Sequence, residues 1–271
     1  MKHFLMQNKI LNLRKLKMKI NFLGTNGWYD TNTGNTICAL IETENYFLVL
    51  DAGNGIYKLD EHIKNSSKPI YLFLSHFHID HIEGLHILNK FNFSQGIKIY
   101  GQIGTKKILK NIINQPYTVP FDKLRFKVDI NELDETKDKE KTEHNLPFSI
   151  ESRLLIHSSP CLGYRFEVDG KVLAYCTDTG ICENVFKLAE DADLLITECS
   201  LKESSPDSLW PHLSPEDAVK IAEESGAKKL ALTHFDANTY HSLEERDLIK
   251  TILNGRYKNI LVAHDGTEII I

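Results

Sequence analysis

Residues 76–81 read His76-Phe77-His78-Ile79-Asp80-His81, directly after the apolar run Pro69-Ile70-Tyr71-Leu72-Phe73-Leu74-Ser75. Three imidazoles and one carboxylate fall within six positions, at the end of what reads as a buried strand. Imidazole and carboxylate are the common ligands of zinc and its transition-metal neighbours. In an extended or tightly turning segment His76 and His78 point to one side. Asp80 and His81, just beyond, then reach a second position, so one short loop can serve two metal ions.

Other polar residues share the context of that cluster, each following an apolar strand. His157 follows Arg153-Leu154-Leu155-Ile156, Asp178 follows Leu173-Ala174-Tyr175-Cys176-Thr177, and Glu198 follows Leu194-Leu195-Ile196-Thr197. His234 follows Leu230-Ala231-Leu232-Thr233, and His264 follows Ile260-Leu261-Val262-Ala263. A strand-end residue can reach into a cleft along a sheet edge. One alone means little; five beside the six-residue cluster point to a metal centre.

The elements that must position these groups are legible from patterning. Strands are expected at Ile20–Leu23, Thr36–Glu42, Tyr46–Asp51, Ile70–Leu74 and Ile97–Tyr100, with helices at Ile56–Ile63, Ile82–Lys90 and Thr105–Ile113. From Tyr117 to His144 the pattern weakens, and Glu132–Glu143 reads as a solvated, mixed-charge loop. Three strands follow, Ser152–His157, Tyr164–Val168 and Lys171–Cys176, the last two joined by the hairpin signal Asp169-Gly170. The remainder alternates: helix Asn184–Ala189, strand Leu194–Glu198, a helix opened by Ser214-Pro215-Glu216-Asp217 and ended by Gly226, strand Lys229–Thr233, helix Leu243–Leu253, and strand Ile260–Ala263. This order predicts an α/β architecture: two sheets face to face with helices outside, in one domain over 18–271. Residues 1–17 are basic, lack the apolar core of a signal peptide, and read as a disordered extension.

Composition narrows the function. The 271 residues carry a net charge of −5, which argues against a global field for nucleic acid. The five cysteines, Cys38, Cys161, Cys176, Cys182 and Cys199, form no CxxC pair, so reduced thiols in a cytoplasmic protein are expected. No apolar stretch approaches the ~20 residues that span a bilayer, so no membrane partner is expected.

The whole constellation resembles the metallo-β-lactamase superfamily over nearly all of the chain after Met18. More narrowly, His157-Ser158-Ser159-Pro160-Cys161-Leu162-Gly163-Tyr164-Arg165 and Thr177-Asp178-Thr179-Gly180 resemble the ribonuclease Z branch, as do Glu198, His212 and Leu232-Thr233-His234-Phe235. The resemblance implies a four-layer αβ/βα sandwich with two divalent metal ions at its edge. It implies one ion held by His76, His78 and His157, another by Asp80, His81 and His234, and Asp178 between them. Zinc is the default, with manganese or iron as alternatives. Such a pair clamps a hydroxide and stabilises the charge of phosphoryl displacement. Asp51 and strand-end threonines are candidate partners for the ligands. His212, in Trp210-Pro211-His212-Leu213-Ser214, is the expected general acid, with Glu198 orienting it in a network that the resemblance extends to Asp80. Asp80, His212 and Glu198 are thus the expected catalytic residues. His264 is assigned a structural role. The Gly24, Gly27 and Gly34 loop is a candidate lining of the cleft.

This chain departs from the tRNA-processing enzymes of that branch. Their protruding arm lies between the equivalents of His157 and Asp178, and here only about 20 residues separate the two. The extra length falls between Gly101 and Leu154, read as a small lid or oligomer contact anchored by Tyr117, Phe121 and Phe126. The expectation is therefore a phosphodiesterase acting on a small or cyclic phosphodiester. The alternatives are a ribonuclease Z-like endonuclease on RNA, and a lactone, thioester or sulfate ester hydrolase. A homodimer is the expected assembly.

Overall fold

The computed structural model describes residues 18–134, 146–205, 209–253 and 255–271. The basic stretch 1–17 and most of the charge run 132–143 therefore lie outside the described residues. The first half supplies strands β1 (Lys19–Gly24), β2 (Asn26–Gly27), β3 (Cys38–Glu42), β4 (Phe47–Leu50), β5 (Ile70–Phe73), β6 (Ile97–Gln102) and β7 (Val128–Leu133). The second half supplies β8 (Ser149–Leu155), β9 (Cys161–Val168), β10 (Lys171–Cys176), β11 (Leu194–Glu198), β12 (Leu230–Thr233), β13 (Phe235–Asp236), β14 (Ile260–Val262) and β15 (Glu268–Ile270).

Two large sheets result. One has the order β15-β1-β3-β4-β5-β6-β7, the other β14-β12-β11-β10-β9-β8. The chain's last strand crosses to the first sheet and pairs antiparallel with β1. Period-2 alternation shows how each sheet is buried on both faces. In β4, Leu48 and Leu50 enter the core between the sheets, whereas Phe47 and Val49 face the outer helical layer. In β11, Leu194 and Ile196 point inward and Leu195 points out against the second helical layer. Three apolar layers separate four layers of structure, the αβ/βα sandwich expected from the sequence.

Both sheets turn parallel where chemistry is concentrated. Strands β4 to β7 are parallel, as are β10, β11, β12 and β14. Their carboxyl ends gather along one edge, where open α/β sheets present ligand sites. The β9–β10 connection is a two-residue turn, with Asp169 (φ 51°) and Gly170 (φ 71°) both left-handed. It leaves no room for an arm.

Two local expectations change. The helix expected from Ile82 begins at Ile79, as one α-turn to Ile82 that tightens to 3-10 over Glu83–Lys90. The backbone of 51–53 holds it there: Ala52 N–H donates to His81 O and Gly84 N–H to Ala52 O, both at 2.8 Å. A Cβ on Gly84 would stand 2.3 Å from Gly53 O, so the approach needs glycine. The described part of the segment after Gly101 is regular structure. The helix Thr105–Ile112 and strand β7 extend the first sheet, and Phe126 is buried in the outer layer. Tyr117 is 76% exposed and anchors nothing. Strand β7 escapes sequence reading because it is an edge strand, mostly half-buried, with polar Asp129, Asn131 and Glu132 among its apolar residues.

Candidate active site

Four of the expected site residues stand at the carboxyl ends of strands: His76 beyond β5 of the first sheet, and Asp178 beyond β10, Glu198 closing β11 and His234 beyond β12 of the second. His157 lies just past β8, which runs in the same direction as β10. The donor atoms of His76, His78, His157 and Asp178 lie within 4.8 Å of one another, as do those of Asp80, His81 and His234. Asp178 faces both groups: its Oδ2 is 3.4 Å from His76 Nε2 and 3.6 Å from His157 Nε2, and its Oδ1 is 3.2 Å from His234 Nε2.

The groups behind the histidines fix which nitrogen faces the centre. The Asp51 carboxylate only accepts, so His81 Nδ1–H donates to it at 2.9 Å. Ser75 Oγ–H also goes to Asp51, at 2.8 Å, which leaves Ser75 Oγ to accept from His76 Nδ1 at 3.0 Å. Ser75 N–H and Tyr175 O–H complete the hold on Asp51, at 2.7 and 2.6 Å. On the far side, Ser200 Oγ–H donates to His234 O at 2.9 Å and accepts from His234 Nδ1 at 3.2 Å.

Those bonds turn the Nε2 atoms of His76, His81 and His234 towards the centre. His81 Nε2 and His234 Nε2 stand 3.1 Å apart, and His234 Nε2 is 3.3 Å from Asp80 Oδ2. His76 Nε2 is buried with no hydrogen-bond partner. Acceptors packed this closely repel unless a cation lies among them. Burial pushes the His81 ring down, but the Asp178 and Asp51 carboxylates push it up more strongly. Burial pushes His157 down to about 4, keeping it in the neutral form that binds metal. The donor set therefore fits a pair of divalent cations.

Beside this centre sits a second device. Both oxygens of the buried Glu198 carboxylate lie 2.9 Å from His212 Nδ1, and Glu198 Oε1 accepts Thr179 N–H at 2.6 Å. Burial pushes the His212 ring down, but Glu198 outweighs it and the ring is pushed up to about 9. Glu198 thus favours the imidazolium form of His212, whose ring lies 5.3 Å from that of His157. The carboxylate grouped with the pair is Asp178, whereas the side chain of Asp80 engages Trp28, His81 and His234. His264 lies apart, 3.3 Å from Asp247, on the edge strand's end.

Backbone strain concentrates here. Trp28 (φ 75°), Asp51 (55°), Asp178 (54°) and His234 (51°) are all left-handed without being glycine. Such conformations cost ~1–3 kcal/mol each and persist where surrounding contacts impose them. The loop carrying Trp28 shows how. Trp28 N–H donates to Asp80 Oδ2 at 2.7 Å, and a Cβ on Gly27 would lie 2.5 Å from the His234 ring. Strand β2 pairs with β13, immediately after His234. Arg246, fully buried on the helix Leu243–Ile252, donates to Thr25 Oγ1, Asn26 Oδ1 and Thr33 Oγ1 at 3.1, 2.6 and 2.6 Å. Its guanidinium also stacks over Phe235. Ser75, Ser200, Tyr175, Trp28 and Arg246 escaped sequence reading. Only the arginine carried a signal, an amphipathic helix with a cation on its apolar face.

A cleft of about 270 Å³ opens over the centre, lined by Trp28, Ile79, Asp80, Trp210, His212 and His234 among others. Among the described residues no helix is long and apolar enough to cross a membrane.

Comparison with known proteins agrees with this geometry. Residues 47–235 match the family described as the beta-lactamase superfamily domain. A ribonuclease Z of Haloarcula marismortui is 24% identical over 93% of this chain and 96% of its own. YhfI of Bacillus subtilis, named a probable metallo-hydrolase, is 26% identical over 88% of this chain and 95% of its own. The YhfI crystal structure superposes with a TM-score of 0.76, at 22% identity, over 94% of this chain and all of that one. A diphosphatase from the PhnP family superposes with a TM-score of 0.69, at 18% identity, over 94% of this chain and 98% of that one. The chain belongs to the metallo-β-lactamase superfamily and is a metallo-hydrolase.

Proposed function

We propose that the protein is a dinuclear-metal phosphodiesterase acting on a small or cyclic phosphodiester. His76, His78 and His157 would hold one divalent ion, Asp80, His81 and His234 the other, with Asp178 between them. Zinc suits the imidazole-rich set, and manganese or iron suits the carboxylates. When bound, the two ions supply a water activated at neutral pH and positive charge for the phosphoryl oxygens.

The chain's own residues do the rest. Asp51 and Ser200 hold the His81 and His234 rings with Nε2 inward. His212 enters the cleft as an imidazolium and donates a proton to the departing alkoxide. Glu198 orients that ring and keeps it charged, so the acid is ready before substrate arrives. The observation that carries the reading is this Glu198–His212 pair beside the convergent Nε2 atoms. Ester hydrolysis with a poor alkoxide leaving group needs such an acid. Relatives named ribonuclease Z and a neighbour named a diphosphatase support a phosphorus-centred substrate over a lactone, thioester or sulfate ester.

The second reading is an RNA 3′-processing endonuclease. One observation favours it: a groove of about 430 Å³ that sets Lys98, Lys106 and Lys110 beside Tyr100 and Phe121. The two-residue β9–β10 turn, the small cleft and the net charge of −5 favour the small substrate. Turnover of a 2′,3′-cyclic nucleotide and of a precursor tRNA, compared under one metal, decides between them. The proposal expects the cyclic nucleotide to be opened and the tRNA left intact. Cleavage of the tRNA alone overturns it.

A further inference from the structure

The chain has two tryptophans, and both line the cleft over the metal-ligand groups. Trp28 is 63% exposed and Trp210 is 54% exposed. Large aromatic side chains left this open in a concave site are poised to bury against a ligand. We propose that Trp28 and Trp210 form an aromatic clamp that stacks on the base of a nucleoside phosphodiester. The inference rests on the phosphodiesterase reading and narrows it from any small diester to a nucleotide.

The two rings are tied to different halves of the centre. Trp210 lies 6.4 Å from the His78 ring with planes only 14° apart, and 6.2 Å from the His157 ring. It also stands 5.5 Å from His212. Trp210 therefore meets the ester group that receives the His212 proton. Trp28 is bound to the other half, because its own N–H donates to Asp80 Oδ2 and the preceding Gly27 packs on His234. Its left-handed backbone, φ 75°, is held by those contacts, so the exposed ring is placed by the site itself.

The chemistry of the rim selects the ligand. Among the described residues lining it, Trp28, Ile79 and Trp210 are apolar, the charged or titratable groups are Asp80, Asp178, Asp236 and three histidines, and no lysine or arginine is present for a second phosphate. A nucleobase offers a planar π-face, and aromatic stacking accepts any base. The cleft of about 270 Å³ lies just below the ~300–1,000 Å³ of drug-sized ligand sites, so it admits only a small ligand.

The test compares adenosine 5′-monophosphate with ribose 5-phosphate, which differ only by the base, on the full zinc-loaded chain by titration calorimetry. Emission from the two tryptophans is read in parallel. The clamp predicts that the nucleotide binds roughly five- to hundred-fold tighter and quenches the emission. In Trp210→Ala and Trp28→Ala that ratio falls towards one, and Trp210→Phe restores it. A ratio near one in the native chain, a ratio unchanged in both alanine variants, or no nucleotide binding at millimolar concentration overturns the proposal. The result is independent of turnover. A chain that keeps the ratio but hydrolyses no phosphodiester retains the clamp and loses the phosphodiesterase reading.

Discussion

At the scale of single residues, two side chains near the same cleft are assigned opposite duties, and substitution separates them. Asp178 sits among histidine nitrogens of both ligand groups, so Asp178→Ala should lose bound metal and activity together. His212 holds its proton through Glu198 and stands outside the ligand groups of His76 and Asp80. His212→Ala should therefore retain two metal equivalents by elemental analysis while kcat falls ~10²–10⁴-fold. Full activity in that variant would contradict the assignment. Glu198→Gln tests the electrostatics. Glu198 favours the charged ring, so its removal lowers the His212 pKa and the acid form is lost at lower pH. The alkaline limb of the kcat profile should move down by ~1 pH unit or more. An unmoved limb would mean that another group supplies the proton.

At the scale of elements, the site depends on short segments held in tension by distant ones. Arg246 reaches from the helix Leu243–Ile252 to the loop that carries Gly27 and Trp28. Arg246→Met removes its hydrogen bonds and leaves buried oxygens short of a donor. Thermal denaturation should show a loss of about 2–3 kcal/mol, and KM should rise as the Trp28 loop loosens. An unchanged KM with lowered stability would limit Arg246 to packing. Such couplings explain what was legible beforehand. The strand β11 and the helix Pro215–Ser225 were readable because their signals are local: an apolar run, and a Ser214–Asp217 capping box closed by left-handed Gly226. The start at Ile79 was not, because it is set by hydrogen bonds from Ala52 and Gly84 that no local pattern encodes. Ser200 and Tyr175 were hidden for the same reason, since their partners lie 34 and 124 residues away. His76, His157, Asp178, Glu198 and His234 were visible because each follows or ends an apolar strand, whereas His212 lies in a loop and came only with the family resemblance.

At the scale of the whole molecule, two sheets with parallel halves put the carboxyl ends of β4, β5, β10, β11 and β12 along one edge. Three buried apolar layers make that edge rigid enough to hold acceptors 3.1 Å apart. The same architecture, closed by a two-residue turn where an arm would stand, leaves a small cleft as the working surface. The central claim is that this edge binds two metals for phosphodiester hydrolysis. Hydrolysis of bis(p-nitrophenyl) phosphate by the zinc- or manganese-loaded chain, with Asp80→Ala as control, tests it most directly. The account predicts turnover that vanishes in the control. No turnover by the fully metallated native protein, or equal turnover in the control, would contradict it.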